Sequence, residues 1–320
     1  MEENINRKFP CTWYAIGFSR ALAKKPLKKK IVGRDIVLFR NKEGAAQAVH
    51  AYCPHRGADL SLGCVRDGKL TCAYHGWEFN GEGNCLHIPS QPDKPVPKFA
   101  HTDHFPVMEK AGLIWIYPDA EIAHESLPPL QLFEEIEDQG FVLAPYESFW
   151  QAHFTRVVES VLDVVHLSFV HKKTIGKNSD PFIRHLQIEG EDDSFYLKNG
   201  SAYLYYDFPQ HWILRPSGTN KSRFINYVTF TPVDEEETLI LGYAGRNFAK
   251  KVPGMNKFFS NYSLKVLNED QAVVESQHPR PIPEALQQEA HVYADGAQIK
   301  FRQRWFEFLQ GKDASVHLDD

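Results

Sequence analysis

The chain has 320 residues, 42% of them hydrophobic and 24% charged, and its formal net charge is −5. The length allows two domains with sizeable cores, and the composition is that of an ordinary globular protein. The negative charge gives no electrostatic reason to expect nucleic acid as a partner, and no apolar run is long enough to cross a membrane. The acidic N-terminus is not followed by an apolar signal segment, which predicts a cytoplasmic location.

Short strands separated by turn residues are predicted for the first part of the chain. The β-rich runs are 13–17, 35–40, 48–51, 69–71 and 113–117. A Pro-rich stretch at 89–97 suits an extended surface connection, and a segment rich in Glu and Pro begins after Pro118. We therefore predict an all-β domain, a small sandwich or barrel, at residues 1–118.

Two short motifs in this domain predict a metal cluster. C-P-H-R-G contains Cys53 and His55, and C-A-Y-H-G-W contains Cys72 and His75. Two thiolates on one iron and two imidazoles on the other are the ligands of a Rieske [2Fe-2S] cluster. Two Cys and two His also suit structural zinc, but zinc fingers usually place both cysteines before both histidines. Each loop here carries one of each, which favours the cluster and leaves zinc as the alternative.

Two glycines of the motifs and the three cysteines outside them can also be interpreted from the sequence. Gly57 and Gly76 allow positive φ and a close approach of the backbone, so that N–H groups could point at cluster sulfurs. Cys11, Cys64 and Cys85 are expected to be free thiols in a reducing compartment, with a disulfide between Cys64 and Cys85 as the alternative.

Helices and strands are mixed in the second part, residues 119–320. Helices are predicted at 154–169, 255–276 and 297–310, and strands at 222–230 and 238–245, joined by the acidic turn 234–237. Asp295 is the candidate cap of the last helix. Its candidates for burial are Ile299, Trp305, Phe306 and Leu309. The chain as a whole is predicted to be α+β, with an antiparallel sheet and covering helices in its second domain.

A second candidate metal site lies in the predicted helix 154–169. Asp163, His166 and His171 form D-x-x-H-x-x-x-x-H, and two histidines with a distant carboxylate are the ligand set of mononuclear non-heme Fe(II). Histidines five apart lie about 140° apart around a regular α-helix. We therefore predict a π-bulge or a helix end between His166 and His171. Two unrelated histidines are the alternative, because such a pair arises easily by chance among 15 histidines.

With both motifs in view, the chain resembles the alpha (terminal oxygenase) subunits of the Rieske non-heme iron oxygenases. C-A-Y-H-G-W is typical of that family. The segment N-E-D-Q-A-V-V-E at 268–275 is similar to the E-D-x-x-V-x-E segment that carries the carboxylate ligand in such oxygenases. By that match Asp270 is the third iron ligand, and Glu269 and Glu275 are the competing carboxylates. The resemblance is nearest to the subgroup of vanillate and dicamba O-demethylases, caffeine N-demethylase and saxitoxin-pathway hydroxylases.

The resemblance also implies an assembly and an electron path. The fold would be a Rieske domain followed by a catalytic domain of the helix-grip type, in a homotrimer. Asp163 would accept hydrogen bonds from His166 and from His75 of the next subunit, and so form an inter-subunit electron bridge. An NAD(P)H-dependent reductase, with or without a ferredoxin, would supply the electrons. Many family members have Asn where this chain has Ser160, which leaves the role of that position open.

The implied activity is that of a terminal oxygenase that monohydroxylates or oxidatively demethylates a small cyclic or aromatic substrate. Aromatic cis-dihydroxylation is one alternative, and a non-catalytic Rieske electron-transfer protein is another from a different class. The aromatic segment 203–212 could line a substrate cavity, although aromatic residues in strands usually belong to the core. Basic residues at 24–34 are expected to form a solvated surface, with a docking surface for an acidic electron donor as the alternative.

Overall fold

The computed structural model describes residues 8–199, 202–216 and 221–311. It divides into two compact units, one being Cys11–Gln131 and the other combining the described parts of Met1–Pro10 and Leu132–Asp320. The segment 119–131 belongs to the first unit, where the Trp13 indole donates to the carbonyl of Pro128 at 2.8 Å. The domain boundary at 118/119 stays a prediction. No helix in the described ranges is long and apolar enough to cross a membrane.

The first unit is built from three antiparallel sheets. Their orders are β1-β11-β10, β2-β3-β4-β9 and β5-β6-β7-β8. The strands are β1 (Tyr14–Phe18), β2 (Leu27–Ile31), β3 (Arg34–Arg40), β4 (Ala46–His50), β5 (Cys64–Arg66), β6 (Lys69–Thr71), β7 (Glu78–Phe79), β8 (Cys85–His87), β9 (His104–Phe105), β10 (Val107–Lys110) and β11 (Leu113–Ile116).

The core of this unit holds the two cysteine motifs in place. Strands β3, β4, β6 and β7 contribute inward-facing Val37, Val49, Leu70 and Phe79, which form one buried cluster that also contains Cys53 and Cys72. The first motif lies in the connection between β4 and β5, and the second lies between β6 and β7. Both motifs therefore extend from strands whose inner faces are packed on a common core.

The second unit consists of one seven-stranded antiparallel sheet and four α-helices among its described residues. The sheet order is β12-β18-β17-β16-β15-β14-β13. In chain order the elements are α1 (Glu134–Glu137), β12 (Val142–Trp150), α2 (Phe154–Leu162), β13 (Ile188–Gly190), β14 (Ser194–Asn199), β15 (Ala202–Asp207), β16 (His211–Pro216), β17 (Phe224–Pro232), β18 (Thr238–Arg246), α3 (Met255–Glu275) and α4 (Gly296–Leu309). Helix α3 packs on β12 and β18, and α2 packs on β17. The predicted α+β class, with an antiparallel sheet covered by helices, is confirmed.

Three predictions for the helices are wrong in detail. The helix predicted at 154–169 ends at Leu162, because Asp163 adopts an extended backbone with ψ of 132°. Asp295 precedes α4, but its side chain accepts from the N–H of Val292 and caps the preceding turn instead. Of the four residues predicted to be buried in α4, only Trp305 is buried, and Leu309 is exposed.

The structure also shows the state of the cysteines and the contacts of the basic segment in the first unit. All five cysteines lie in the described residues and are unpaired. The basic segment contains strand β2, which the sequence did not predict. Its Lys28 bonds Asp59 at 2.9 Å and the Tyr52 hydroxyl at 3.0 Å, and it therefore ties this strand to the loop that carries Cys53.

Candidate metal centres and substrate cavity

The two motif loops of the first unit share one backbone design. The N–H of Gly57 donates to the carbonyl of Cys53 at 2.8 Å, and the N–H of Gly76 donates to the carbonyl of Cys72 at 3.0 Å. The two glycines have φ values of +66° and +72°, so both occupy the left-handed region that glycine adopts without strain. Each loop therefore turns sharply behind its cysteine and carries its histidine at the tip.

The side chains of the four predicted cluster ligands are arranged as two pairs. Cys53 and Cys72 are buried and in contact, whereas His55 is half-buried and His75 is exposed, with a ring-centroid distance of 4.5 Å between them. Trp77 stacks on the His55 ring at 4.6 Å with an interplanar angle of 5°. The sulfur pair forms the inner end of the site and the imidazole pair forms its outer end.

The chemistry of these groups fits a metal cluster. Burial, together with the neighbouring Cys72 thiol, raises the pKa of Cys53 to about 11, although backbone N–H groups oppose this. Two adjoining buried thiols therefore do not ionise readily unless a cation accompanies them. Desolvation and the nearby His75 lower the pKa of His55, which favours the neutral imidazole that binds metals. The Nδ1 atom of His55 is buried and has no hydrogen-bond partner, as expected of a ligand atom.

In the second unit the structure brings together His166, His171 and Asp270. Asp270 Oδ1 lies 3.5 Å from Nε2 of His166 and 3.2 Å from Nε2 of His171. The three ligand atoms lie within 4.8 Å of one another, and in the described part of the chain no other such group of three metal-ligating side chains occurs. Two imidazoles and one carboxylate on a single side of a metal would leave its other positions open.

The local backbone explains how two histidines five residues apart can converge. Helix α2 stops before Asp163, whose carboxylate accepts from the N–H groups of Val165 at 2.7 Å and His166 at 3.1 Å. A short 3₁₀ helix then runs from His166 to Ser168. The α-helix therefore ends before both histidines and not between His166 and His171 as predicted, and only the short 3₁₀ segment ends between them.

The neighbouring carboxylates of α3 have separate partners. Glu269 Oε2 lies 2.8 Å from Nδ1 of His171 and also accepts from the hydroxyl of Thr174 at 2.5 Å. Glu275 accepts from the backbone N–H of Gln151 at 2.9 Å. Of the three candidates, only the Asp270 carboxylate lies at the Nε2 atoms of both histidines.

The Asp163 carboxylate also approaches the ring of the first histidine. Its Oδ1 lies 3.7 Å from Nδ1 of His166, and that nitrogen is buried without a hydrogen-bond partner. Ser160, where many family members have Asn, donates its hydroxyl to the carbonyl of Val157 in its own helix at 2.8 Å. The hydroxyl is therefore used locally by α2.

A cavity of about 680 Å³ adjoins the three converging side chains. Its walls come from strands β12, β15, β16 and β17, from helix α3 and from the segment 160–183. Within the aromatic segment 203–212, Trp212 lines the cavity together with Leu204. Tyr203 and Tyr205 belong to the other face of the sheet, because they alternate with Leu204, and both contact the ring of Tyr196. Sequence reasoning missed two polar residues of the wall, Tyr146 and Asn226, because they come from separate strands without a shared motif.

Comparisons with known families agree with both halves of this description. The family model "Rieske [2Fe-2S] domain" matches residues 12–102, and the "Vanillate O-demethylase oxygenase C-terminal domain" matches residues 202–309. This chain belongs to the Rieske non-heme iron oxygenase family. The two matching domains confirm the resemblance to Rieske oxygenases that the motifs indicated, including the subgroup.

Individual relatives of this Rieske oxygenase chain cover different shares of it. It is 35% identical over 194 residues to the vanillate O-demethylase oxygenase subunit of Pseudomonas sp., which is 59% of this chain and 53% of that protein. It is 27% identical over 309 residues to methylxanthine N1-demethylase NdmA of Pseudomonas putida, which is 89% of this chain and 83% of that protein. The chain spans about half the length of the first curated relatives, 48% and 53%.

Solved structures agree with the fold. The structure of the Pseudomonas putida NdmA QL mutant with theobromine has a TM-score of 0.84 and 25% identity, and the match covers 96% of this chain and 93% of that one. Dicamba monooxygenase bound to dicamba has a TM-score of 0.80 at 24% identity, with coverage of 94% and 98%. The likeness to the second structure concerns the fold alone.

Proposed function

We propose that this chain is a terminal oxygenase component that uses O₂ and reductase-supplied electrons to monohydroxylate or oxidatively demethylate a small cyclic or aromatic substrate. The observation that carries the proposal is the convergence of His166, His171 and Asp270 beside a cavity of about 680 Å³, in a chain that also has a Rieske domain. An electron-transfer protein would need neither the open three-ligand group nor the cavity.

We assign Cys53, His55, Cys72 and His75 as the cluster ligands. The pairing of sulfur with sulfur and imidazole with imidazole supports two irons with different ligands more than one tetrahedral zinc. When bound, the cluster would supply single electrons. The protein's own contribution is to bury the cysteine end and to expose His75 at the outer end, where another protein surface can reach it.

We assign His166, His171 and Asp270 as ligands of mononuclear Fe(II), which when bound would be the centre at which dioxygen is activated. Glu269 accepts the Nδ1 proton of His171, which keeps Nε2 unprotonated and directed at the metal position. The cavity beside these atoms would hold the substrate, and its mainly apolar wall would exclude bulk water from the reacting atoms.

Asp163 is the proposed electron bridge between subunits of a homotrimer, where it would accept hydrogen bonds from His166 and from His75 of the neighbouring subunit. Two observations support a role of this kind: the carboxylate lines the cavity and lies 3.7 Å from Nδ1 of His166. An NAD(P)H-dependent reductase, with or without a ferredoxin, would provide the electrons. The cytoplasmic location stays a prediction from the sequence.

Metal analysis and oxygen consumption test the function together. Purified protein should contain acid-labile sulfide and more iron than the cluster alone accounts for. With a surrogate reductase it should consume oxygen faster when a substrate is added, and mass spectrometry should find one inserted oxygen atom or a lost methyl group. Two added hydroxyl groups would favour dihydroxylation instead. Unchanged iron content and turnover in His166→Ala would contradict the iron assignment.

The bridge has its own test, in which Asp163→Asn is compared with Asp163→Ala. Asparagine keeps a side-chain oxygen for the N–H groups of Val165 and His166, so the variant should keep its mononuclear iron and lose electron transfer from the cluster. Alanine also removes the side-chain oxygen that accepts from these two backbone N–H groups, and it should therefore reduce iron binding as well. Rapid reoxidation of the reduced cluster in Asp163→Asn, in the presence of substrate and oxygen, would contradict the proposal.

A further inference from the structure

The charges around the cavity restrict what it can hold. No Lys or Arg is among the described residues that line it. Its titratable side chains are three carboxylates, those of Asp163, Asp180 and Asp270, the imidazoles of His166 and His171, and the phenol of Tyr146. Both imidazoles belong to the proposed iron site, where a ligand histidine is neutral. With Fe(II) bound, the ion and its Asp270 ligand would together carry one positive charge, which the carboxylates of Asp163 and Asp180 more than offset. A buried anionic substrate would therefore find no cationic side chain and no net positive charge in the cavity, which makes its desolvation expensive.

On the sheet side of the cavity, the wall carries one hydrogen-bonded polar pair. The hydroxyl of Tyr146, on β12, donates to Oδ1 of Asn226, on β17, at 2.5 Å. Strand β18 lies between these two strands, and the Tyr146 ring crosses it above Gly242. A Cβ atom at position 242 would lie 2.3 Å from Cζ of Tyr146. The absence of a side chain at Gly242 is therefore what allows the two polar groups to meet.

This pair presents hydrogen-bond donors to the cavity. Burial raises the pKa of Tyr146 well above its ordinary range, so the phenol stays neutral and its single proton is committed to Asn226. With Oδ1 occupied in this way, the Nδ2 group of Asn226 remains to donate to a ligand. Nearby wall positions on the same sheet face are apolar, among them Leu204, Leu214 and Val228. An amide donor on an apolar sheet face selects an acceptor oxygen.

We propose that the substrate of this oxygenase is an uncharged molecule held through a carbonyl, ether or hydroxyl oxygen by Asn226, and that aromatic carboxylates and sulfonates are rejected. The inference rests on the proposed function and names the substrate class of the same site. It separates this chain from relatives whose names specify vanillate, toluene-4-sulfonate or 3-chlorobenzoate. Asn226 acts here as a specificity-determining residue.

Equilibrium binding of matched probes to the iron-loaded protein tests the inference without turnover. The probes are 3-methoxybenzoate and its neutral counterparts, 3-methoxybenzamide and methyl 3-methoxybenzoate. Trp212 lines the cavity, so quenching of tryptophan fluorescence can report binding, and Trp212→Phe identifies the signal from this residue. We expect both neutral probes to bind at least about tenfold more tightly than the acid, because the acid must lose its hydration without a cationic side chain to replace it. Equal or tighter binding of the acid would overturn the inference.

Variants at Asn226 test the anchor itself. Asn226→Leu should weaken both neutral probes by about tenfold, since an acceptor oxygen would lose the amide donor on the sheet face of the cavity. Asn178→Leu is the matched control, because Asn178 also lines the cavity but lies outside the Tyr146 pair, and it should change these affinities little. Asn226→Asp keeps the shape of the side chain if the leucine variant fails to fold, and it should also weaken the neutral probes. Unchanged affinity in a folded Asn226 variant would refute the anchor.

The outcome for the inference can be told apart from the outcome for the proposed function. Preferential binding and turnover of acids would refute the neutral-substrate inference and leave the oxygenase function standing. Absence of substrate-stimulated oxygen uptake with every probe, in protein with full iron and sulfide, would count against the oxygenase function. In that case the binding measurements would still decide whether the cavity prefers neutral acceptors.

Discussion

Glu269 offers a sharp test of how this chain holds its mononuclear metal. Its Oε2 lies 2.8 Å from Nδ1 of His171, the usual length of a charge-assisted N–H···O bond, and the His171 side chain is only 2% exposed. A carboxylate in this place orients the imidazole and raises its basicity as a ligand, and loss of such a partner typically costs about 10–100-fold in metal affinity.

Two variants of Glu269 should lie at the two ends of that range of metal affinity. Glu269→Gln keeps an acceptor oxygen for His171 and for the Thr174 hydroxyl, which bonds the same atom at 2.5 Å, so only the charge is lost. We expect about tenfold weaker Fe(II) binding, which is about 1.4 kcal/mol. Glu269→Ala loses the acceptor too and frees the ring to change tautomer, so the loss should approach about 100-fold.

Anaerobic Fe(II) titration of metal-depleted protein measures this affinity directly. Glu275→Gln is the control, because it changes another carboxylate of α3 that bonds Gln151 and Gln271, and it should leave iron affinity unchanged. Turnover at saturating iron should recover more fully in Glu269→Gln than in Glu269→Ala. If Glu269→Ala bound iron as tightly as the unaltered protein, the assigned tautomer and the role of Glu269 would both be wrong.

Three further predictions concern stability. Arg302→Met should lower the free energy of unfolding by about 3 kcal/mol in urea denaturation, because it leaves the negative charge of the buried Glu159 carboxylate with less compensating positive charge. A loss well below that would show that this buried ion pair adds little to stability. Hydrogen bonds from Arg156 and Arg302 lower the pKa of Glu289 from 4.5 to about 2, so its stabilising contribution is present above pH 4.5 and is lost as the pH falls towards 2. Glu289→Gln should flatten the pH dependence of unfolding in that window, and an unchanged slope would contradict the assignment. Gly57→Ala should cost about 1 kcal/mol in the same denaturation assay, since its φ of +66° disfavours a side chain although the surrounding space is open; a neutral result would mean that the loop relaxes.

Much of the first unit could be predicted because its signals are local. The paired Cys and His motifs contain their own turn glycines, and positive φ at Gly57 and Gly76 follows from residue type alone. Strands with β-rich composition were found close to their observed bounds, as for β6 at Lys69–Thr71. Strand β2 was missed because three consecutive lysines hide the pattern, although the ammonium group of Lys28 lies over the Tyr52 ring and bonds Asp59.

The second unit was harder because its site depends on contacts between distant segments. The apolar residues of α2 gave no sign that the helix stops at Leu162; that end depends on Asp163 bonding the two N–H groups that follow it. The pairing of Tyr146 with Asn226 requires the order of three strands and an empty position between them, and neither is written in a local motif. Periodicity identifies the elements but not which of their side chains meet.

The adjacent carboxylates of α3 show why order matters within the segment 268–275. Glu269 reaches Nδ1 of His171 at 2.8 Å, and Asp270 lies 3.2 Å from Nε2 of the same ring. Consecutive helix residues point about 100° apart, so the two carboxylates approach one imidazole from different sides. The longer side chain of Glu269 reaches Nδ1 of the His171 ring. The shorter side chain of Asp270 stays beside Nε2, at the metal position that His166 also faces. Exchanging the two residues would move the longer side chain to the metal position and leave the shorter one facing Nδ1. His171 would then lack the carboxylate that orients its ring, and the carboxylate beside its Nε2 would be differently placed.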